Sequence, residues 1–404
     1  MKWEKVKLGN VCEITSSKRI FYSEYVDDGV PFYRSKEIIE SDEGKVIENP
    51  LYISVDKYNE LKEKFGVPQI GDMLLTSVGT IGIPYIIKKK DCFYFKDGNL
   101  TWFRDFREGL NSKYLYYWIK SSEGTGILYN TTIGSSQKAL TISALKNIKV
   151  SLPPRSVQDK IVEVVSAYDD LIENNQKQIK LLEEATQRLY KEWFVDLRFP
   201  GHENTKIVDG VPEGWSVYPF SSKVDIMSGG TPKTSIPDYY NGKIPFYTPK
   251  DSDGAFFAYK TQMNITEGGL KNCNSRLYPP KTVIITARGT VGKTTILAVP
   301  MAMNQSCYAL KMKENDAPYY LFFALNNEIK ALQTMANGGV FNTIIGKTFD
   351  SINIQIPKDP LIYGFEETVR PFMEQIKNKL QANSKLVEAR DRLLPKLMSG
   401  EVEV

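Results

Sequence analysis

LLTSVGTIG at residues 74–82 and IITARGTVG at residues 284–292 are the stretches on which the fold turns. Each is an apolar run that ends in Gly-Thr-aliphatic-Gly, the composition of a strand entering a tight turn. Working outward from them, VPFYRSKE (30–37) falls on IPFYTPKD (244–251), and Glu13-Ile14-Thr15-Ser16 falls on Asp225-Ile226-Met227-Ser228. Trp3 falls on Trp215, while Ile148, Val150, Leu152 and Pro153 fall on Ile352, Ile354, Ile356 and Pro357. Matches that keep their order at a spacing of roughly 210 residues define a long tandem repeat. Within each half, short β-branched or aromatic alternations punctuated by Gly, Pro and Asn predict strands and turns. One short helix is expected in each, at 114–120 and at 320–326, so each half reads as a small α+β domain.

A long helix is predicted after each domain. The first follows Pro153-Pro154, with Ser156 expected at its N-cap and Asp159 as the capping-box partner, and it ends before Pro200-Gly201. From residue 157 to 194 it would be roughly 57 Å long at about 1.5 Å per residue. Its apolar residues keep heptad spacing (Ile161, Tyr168, Leu182 and Leu189 with Val164, Leu171 and Ala185), widened by Val165, Ile172, Ile179 and Trp193. Asn175 falls in the seam, where a polar residue fixes register. The second helix repeats the pattern through Phe365, Phe372, Leu386, Ala389 and Leu393, but Pro371 is expected to kink it or to start its main segment, and Lys379 interrupts the seam. A chain laid out in this way must cross on one helix and return on the other. The expected architecture is α+β: two pseudo-two-fold-related domains (1–152 and 200–356) separated by an antiparallel two-helix strut (153–199 and 357–404). The stripe is wider than one partner helix needs, which leaves Ile172, Ile179, Leu189 and Trp193 as a face for another subunit. The alternative is that both helices pack only on their own domains.

The 404 residues exceed one ordinary core, and 42% apolar with 25% charged residues is soluble globular usage. No apolar run approaches a membrane span, and the start, Met1-Lys2-Trp3-Glu4, lacks the pattern of a signal peptide, so a cytoplasmic protein is expected. Cys12, Cys92, Cys273 and Cys307 are scattered and read as buried free thiols, with no metal-ligand spacing. His202, the only histidine, sits in the linker-like Phe199-Pro200-Gly201-His202, so acid–base catalysis lacks its commonest proton carrier.

Two motifs mislead. Residues 287–294, ARGTVGKT, nearly spell a phosphate-cradling P-loop, yet that loop must lead into a helix N-terminus, whereas Thr295-Ile296-Leu297-Ala298-Val299-Pro300 reads as a strand. The repeat also places Ile83-Pro84 where Lys293-Thr294 stand. Asp56 with Glu60-Leu61-Lys62 looks nuclease-like, but this spacing is ordinary on exposed helices. No Asn-Pro-Pro-aromatic methyltransferase motif occurs; Tyr278-Pro279-Pro280-Lys281 and Leu152-Pro153-Pro154-Arg155 do not fit it. Catalysis therefore has no candidate centre.

The net charge is only +4, and the positive excess lies on the globular halves. Basic residues stand among aromatics and hydroxyls in turn-like segments: Ser16-Ser17-Lys18-Arg19, Tyr33-Arg34-Ser35-Lys36, Ser135-Ser136-Gln137-Lys138 and Gly229-Gly230-Thr231-Pro232-Lys233-Thr234. Such residues suit phosphate and base-edge contacts, although each segment alone is also an ordinary solvated turn.

The run Ser228-Gly229-Gly230-Thr231-Pro232, Tyr239-Tyr240-Asn241-Gly242 and Ile244-Pro245-Phe246-Tyr247-Thr248-Pro249-Lys250-Asp251 resembles the start of a target-recognition domain in type I restriction-modification specificity subunits. Similar to that family, too, are the Gly-Thr-aliphatic-Gly turns at Gly79 and Gly289, and the stretch from Gly134-Ser135-Ser136-Gln137-Lys138 to Leu152-Pro153-Pro154. The helix end Lys191-Glu192-Trp193-Phe194, followed by Val211-Pro212-Glu213-Gly214-Trp215, also matches. The resemblance covers nearly the whole chain, departing where SSKRIFYSEYVDDG (16–29) replaces the Thr-Pro segment. It implies that each half reads one half-site of a bipartite double-stranded DNA site, with the helices setting the nonspecific gap. Lys18, Arg19, Arg34, Lys36, Ser135, Gln137 and Lys138 then become candidate DNA contacts in the first half. Thr231, Lys233, Tyr247, Lys250 and Arg288 are the candidates in the second. It further implies two modification subunits, which use S-adenosylmethionine to methylate a flipped adenine, and restriction (motor-nuclease) subunits, which use ATP and Mg. No cofactor, metal or catalysis is expected of this chain. From the residues alone, a coiled-coil adaptor that binds no DNA and a recognition module for another methyltransferase type stay open.

Overall fold

A computed structural model describes residues 3–45, 47–134, 138–335 and 344–404, with the backbone alone described at 330–335. The chain divides into two compact units, Met1–Glu173 with Lys385–Val404, and Asn174–Ser384.

The first unit is built on an antiparallel sheet of Glu13–Thr15, Leu100–Arg104, Met73–Thr76 and Pro84–Ile86, in that spatial order. A second sheet orders Tyr25–Val26, Leu51–Ile53, Val30–Tyr33 and Tyr94–Phe95, the last two strands running parallel. Glu4–Lys7 pairs with Lys149–Leu152 and so ties the start of the half to its end. The strands are short; Met73, Leu74 and Leu75 fill an inner one, and the aromatic rings of Phe32, Phe95 and Phe103 are buried on others.

The second unit repeats this plan. Val224–Ser228, Cys307–Met312, Val283–Thr286 and Thr294–Leu297 follow the same order, with Phe257–Ala258 added at the edge. Tyr240–Tyr247 runs parallel to Ala302–Met303, and Ser216–Pro219 pairs with Asn353–Ile356. The repeat read from the sequence is therefore a repeat of strand pairings as well. Its helices are more numerous than expected. The first half carries Ser35–Asp42, Val55–Phe65, Ser122–Thr131 and Ile142–Asn147 besides the anticipated Ser112–Lys120, and in the second half the expected helix extends over Pro318–Met335. Short helices with few apolar positions leave a weak periodic signal, and burial against a neighbouring sheet stabilises them instead.

The first long helix spans Arg155–Tyr190 and continues as one wide turn over Lys191–Val195. It starts two residues earlier than the capping-box reading required: Val157 N–H already bonds Pro154 O at 2.9 Å. Asp159 does not cap it but accepts from Arg155 and from Asn111. The second long helix runs unbroken over Asp359–Ser399, so Pro371 neither starts nor ends a segment. Proline removes one backbone donor, and packing outweighs that loss here: Phe365, Val369, Met373 and Ile376 are all buried in the second unit.

The helices pair antiparallel within each unit. In the first, Ile161 and Val165 share a core with Leu394 and Leu397, and Arg390 Nη1 meets Asp169 Oδ1 at 2.6 Å. In the second, Asn175 Nδ2 donates to Asn383 Oδ1 at 2.8 Å, the seam position expected of Asn175. Cys12 and Cys307 are buried, and burial pushes both thiols up to about 12, whereas Cys92 is exposed and Cys273 half-buried. None of the four is in a disulfide.

Candidate nucleic-acid interface

The two stretches that define the repeat form two hairpin tips with one bonding pattern. In the first unit Thr76 N–H donates to Ile83 O at 3.1 Å, Ile83 N–H to Thr76 Oγ1 at 2.9 Å and Gly82 N–H to Thr76 O at 2.8 Å. In the second, Thr286 N–H donates to Lys293 O at 2.9 Å, Lys293 N–H to Thr286 Oγ1 at 3.0 Å and Gly292 N–H to Thr286 O at 2.9 Å. Gly79 and Gly289 stand at φ +79° and +78°, a left-handed conformation that costs any Cβ-bearing residue energy. Thr294–Leu297 is a strand, as the sequence predicts, so no helix N-terminus follows Lys293.

Each tip lies between the same two neighbouring segments. Ser77 N–H bonds Asn99 O and Leu140 N–H bonds Ser77 O; correspondingly, Ala287 N–H bonds Ser306 O and Ile344 N–H bonds Ala287 O. This arrangement gathers several predicted residues in the second unit. Arg288 is exposed on the tip, and Gly289 lies against the Pro249 ring, which carries the exposed Lys250 with it. Thr231 donates to Gln305, the neighbour of Ser306. The Gly229-Gly230 pair allows that loop to press on the backbone of Met303 and Asn304, since a Cβ on Gly229 would fall 2.3 Å from Asn304 O. Lys233 is exposed on the same loop. Among the described residues, Lys233, Lys250 and Arg288 form no ion pair, so their charges are free for an anionic ligand.

In the first unit, Ser17 Oγ bonds Phe95 O at 2.7 Å, which sets Lys18 and Arg19 beside the strand that leads to Asn99. Lys18 Nζ lies 4.6 Å from the Phe65 ring centroid, and Arg19 pairs with Asp97 at 3.0 Å. Lys36 is exposed, 3.7 Å from Glu40. Lys138 Nζ stands 3.7 Å over the ring of Tyr129. Ser135 and Gln137 lie outside the described residues.

Two expectations need correction. Tyr247 is only 1% exposed and belongs to a core cluster with Tyr278 and Met303, so its side chain is not on the surface where DNA would lie. The alternation of IPFYTPKD is that of a buried strand, and Phe246 and Tyr247 are both inside it. Arg34, half-exposed, pairs with Glu37 at 2.6 Å as Arg19 does with Asp97, and stays a candidate contact. Burial raises the Glu37 carboxyl, but hydrogen bonds from Arg34 outweigh burial and hold it below the ordinary range, so the pair stabilises a helix start. The apolar helix face is not spare either. Ile179 is buried, and Leu189 and Trp193 pack on the same core, with Trp193 5.8 Å from Phe365. Ile172, Leu189 and Trp193 are half-buried, and Ile172 belongs to the first unit. The stripe is wide because one helix serves both its partner helix and a sheet domain. Sequence reading overlooked Thr76 and Thr286, whose hydroxyls close the turns, although a threonine at the same place in both repeats was a usable signal. It also overlooked Tyr129 and Gln305.

Among the described residues no group of three or more His, Cys, Asp or Glu is placed to hold a metal ion, and no helix is long and apolar enough to cross a membrane. Asp56 and Glu60 lie on the helix Val55–Phe65, where Glu60 pairs with Lys57 and Lys64, an ordinary surface network.

Comparison with known proteins agrees with this geometry. Residues 1–184 and 212–381 match the family described as type I restriction modification DNA specificity domain, one copy per repeat. The chain is similar to the type I restriction enzyme MjaIX specificity subunit of Methanocaldococcus jannaschii, at 28% identity over 100% of this chain and 94% of that protein. It is similar also to the HindI specificity subunit of Haemophilus influenzae, at 24% identity over 65% of this chain and 71% of the relative. Among solved structures, the S subunit of a type I restriction-modification system from M. genitalium shares the fold, with a TM-score of 0.60, 16% identity, and coverage of 98% of this chain and 96% of that one.

Proposed function

This chain belongs to the type I restriction-modification DNA specificity family, and from that premise we propose that its two units each read one half of a bipartite double-stranded DNA site. The observation that carries the proposal is the twofold occurrence of one hairpin tip, flanked in the second unit by Thr231, Lys233, Lys250 and Arg288 without carboxylate partners. Free cations and hydroxyls on a rigid sheet end are the groups that position a protein on phosphates and reach base edges in a groove. The two long helices are then the spacer between half-sites.

The proposal extends to the assembly. Two modification subunits would bring S-adenosylmethionine to an adenine in each half-site, and restriction subunits would bring ATP, Mg and nuclease activity. This chain would contribute recognition and scaffolding, without catalysis, in the cytoplasm beside the chromosome. The test is to express the chain with a type I modification subunit in cells free of other adenine methylation and to map methylated adenines genome-wide. A single split motif that disappears when this chain is omitted is the expected result. Methylation that is absent, or that does not depend on this chain, overturns the proposal.

A further inference from the structure

In the first unit, the hairpin tip at Gly79 has an unusual neighbour. Ala139 bridges both Val78 on the tip and Ile133, which fastens the stretch ahead of the helix Ile142–Asn147 to the turn. That stretch carries Lys138, whose ammonium stands 3.7 Å over the ring of Tyr129 in the last turn of the helix Ser122–Thr131. Tyr129 is 62% exposed and Ile133 55% exposed, so neither is part of the core. Among the described residues Lys138 forms no ion pair. A lysine is a flexible point charge that ordinarily samples many rotamers in water. Here an aromatic face holds its ammonium beside the turn, and all its charge is left for a ligand.

We propose that Tyr129 and Lys138 form a phosphate clamp on the DNA backbone at the first unit's half-site, with Lys138 contacting the phosphate and Tyr129 acting as the positioning residue that holds it. The inference rests on the DNA-reading function above and adds a contact to it. A phosphate contact has a signature distinct from base reading: its loss weakens binding alike on all sequences and lowers the salt dependence by one counterion's worth. The clamp also predicts that the tyrosine matters through its ring, since the ring holds the ammonium.

The experiment uses the full chain assembled with its modification subunit and measures DNA binding from 50 to 200 mM salt, on its split site and on unrelated duplex. Lys138→Ala should weaken both about 5- to 10-fold and reduce the slope of log K against log salt by about 1. Tyr129→Ala should reproduce most of that loss, Tyr129→Phe should keep wild-type binding and slope, and the double variant should be no worse than Lys138→Ala alone. If wild type binds its split site but Lys138→Ala and Tyr129→Ala keep its affinity and slope, the clamp is wrong and the DNA-reading function stands. If Lys138→Ala weakens only the specific site, at unchanged slope, Lys138 reads a base and the clamp is again refuted. If the variants fail to assemble with the modification subunit, the patch is a protein interface, which equally refutes it. If wild type itself shows no preference for a split site, the broader function fails first.

Discussion

Glu366 offers a sharp test of how the second unit is held on its helices. Its side chain, 3% exposed on the second long helix, accepts the backbone N–H of Tyr320 at 2.7 Å, near the start of the helix Pro318–Met335. Burial raises its carboxyl from 4.5 to about 7, against the lowering effect of the Tyr320 and Tyr319 amides and of Arg370; Asp316 adds to the rise. An acid whose folded pKa lies above its unfolded one holds its proton more tightly when folded. Its contribution to stability is therefore complete below about pH 4.5 and is lost as pH rises through 7. A shift of that size corresponds to about 3 kcal/mol lost between pH 4 and pH 8, as an upper bound. Glu366→Gln keeps an acceptor for Tyr320 and removes the charge. At pH 8 the variant should melt higher than wild type by about 5 to 10 °C, and at pH 5 the two should differ by no more than about 2 °C. Melting of the full chain by calorimetry at both pH values decides the matter. Glu183, raised by burial to about 7 as well, is present in both proteins and cancels in the comparison. A Glu366→Gln difference equal at pH 5 and pH 8 would refute the reasoning, because the carboxyl would then titrate as it does in the unfolded chain.

Other consequences follow from the helices and the repeat. Asn175→Ala removes the cross-helix bond to Asn383 Oδ1 and should cost about 1 kcal/mol in urea unfolding, whereas Asn175→Leu with Asn383→Leu should be near neutral or stabilising. If the single and double changes cost the same, the cross-helix bond contributes nothing. Four residues added to both long helices, between Asp169 and Asn175 and between Asn383 and Arg390, lengthen each by about 6 Å while nearly completing a turn. Methylation should then move to unchanged half-sites one or two base pairs further apart, at about 3.4 Å per pair, and methylation at the original spacing would show that the helices are not the ruler. Exchanging residues 212–356 for the equivalent segment of a relative should change one half-site only, read by the same methylation map; a change in both, or in neither, removes the assignment of one unit to one half-site.

The repeat, the strand alternations, the glycine turns and the long helices were legible in the sequence because each depends on residues close together along the chain. A positive φ at Gly79 or Gly289 is a local demand, and so is the alternation of Lys149–Leu152 and of Asn353–Ile356, whereas their pairing with Glu4–Lys7 and Ser216–Pro219 was decided by the fold. Asn175 announced a seam, but not that Asn383 would answer it. Tertiary structure decided which side of each pattern is used. Tyr247 goes into the core, and Ile179, Leu189 and Trp193 pack on the second unit's own aromatic core. A tyrosine, an arginine or a leucine serves equally well in a core, an ion pair or an interface. The choice among these is made by packing partners on other elements, such as Met303 for Tyr247 and Phe365 for Trp193, whose approach the local pattern does not encode.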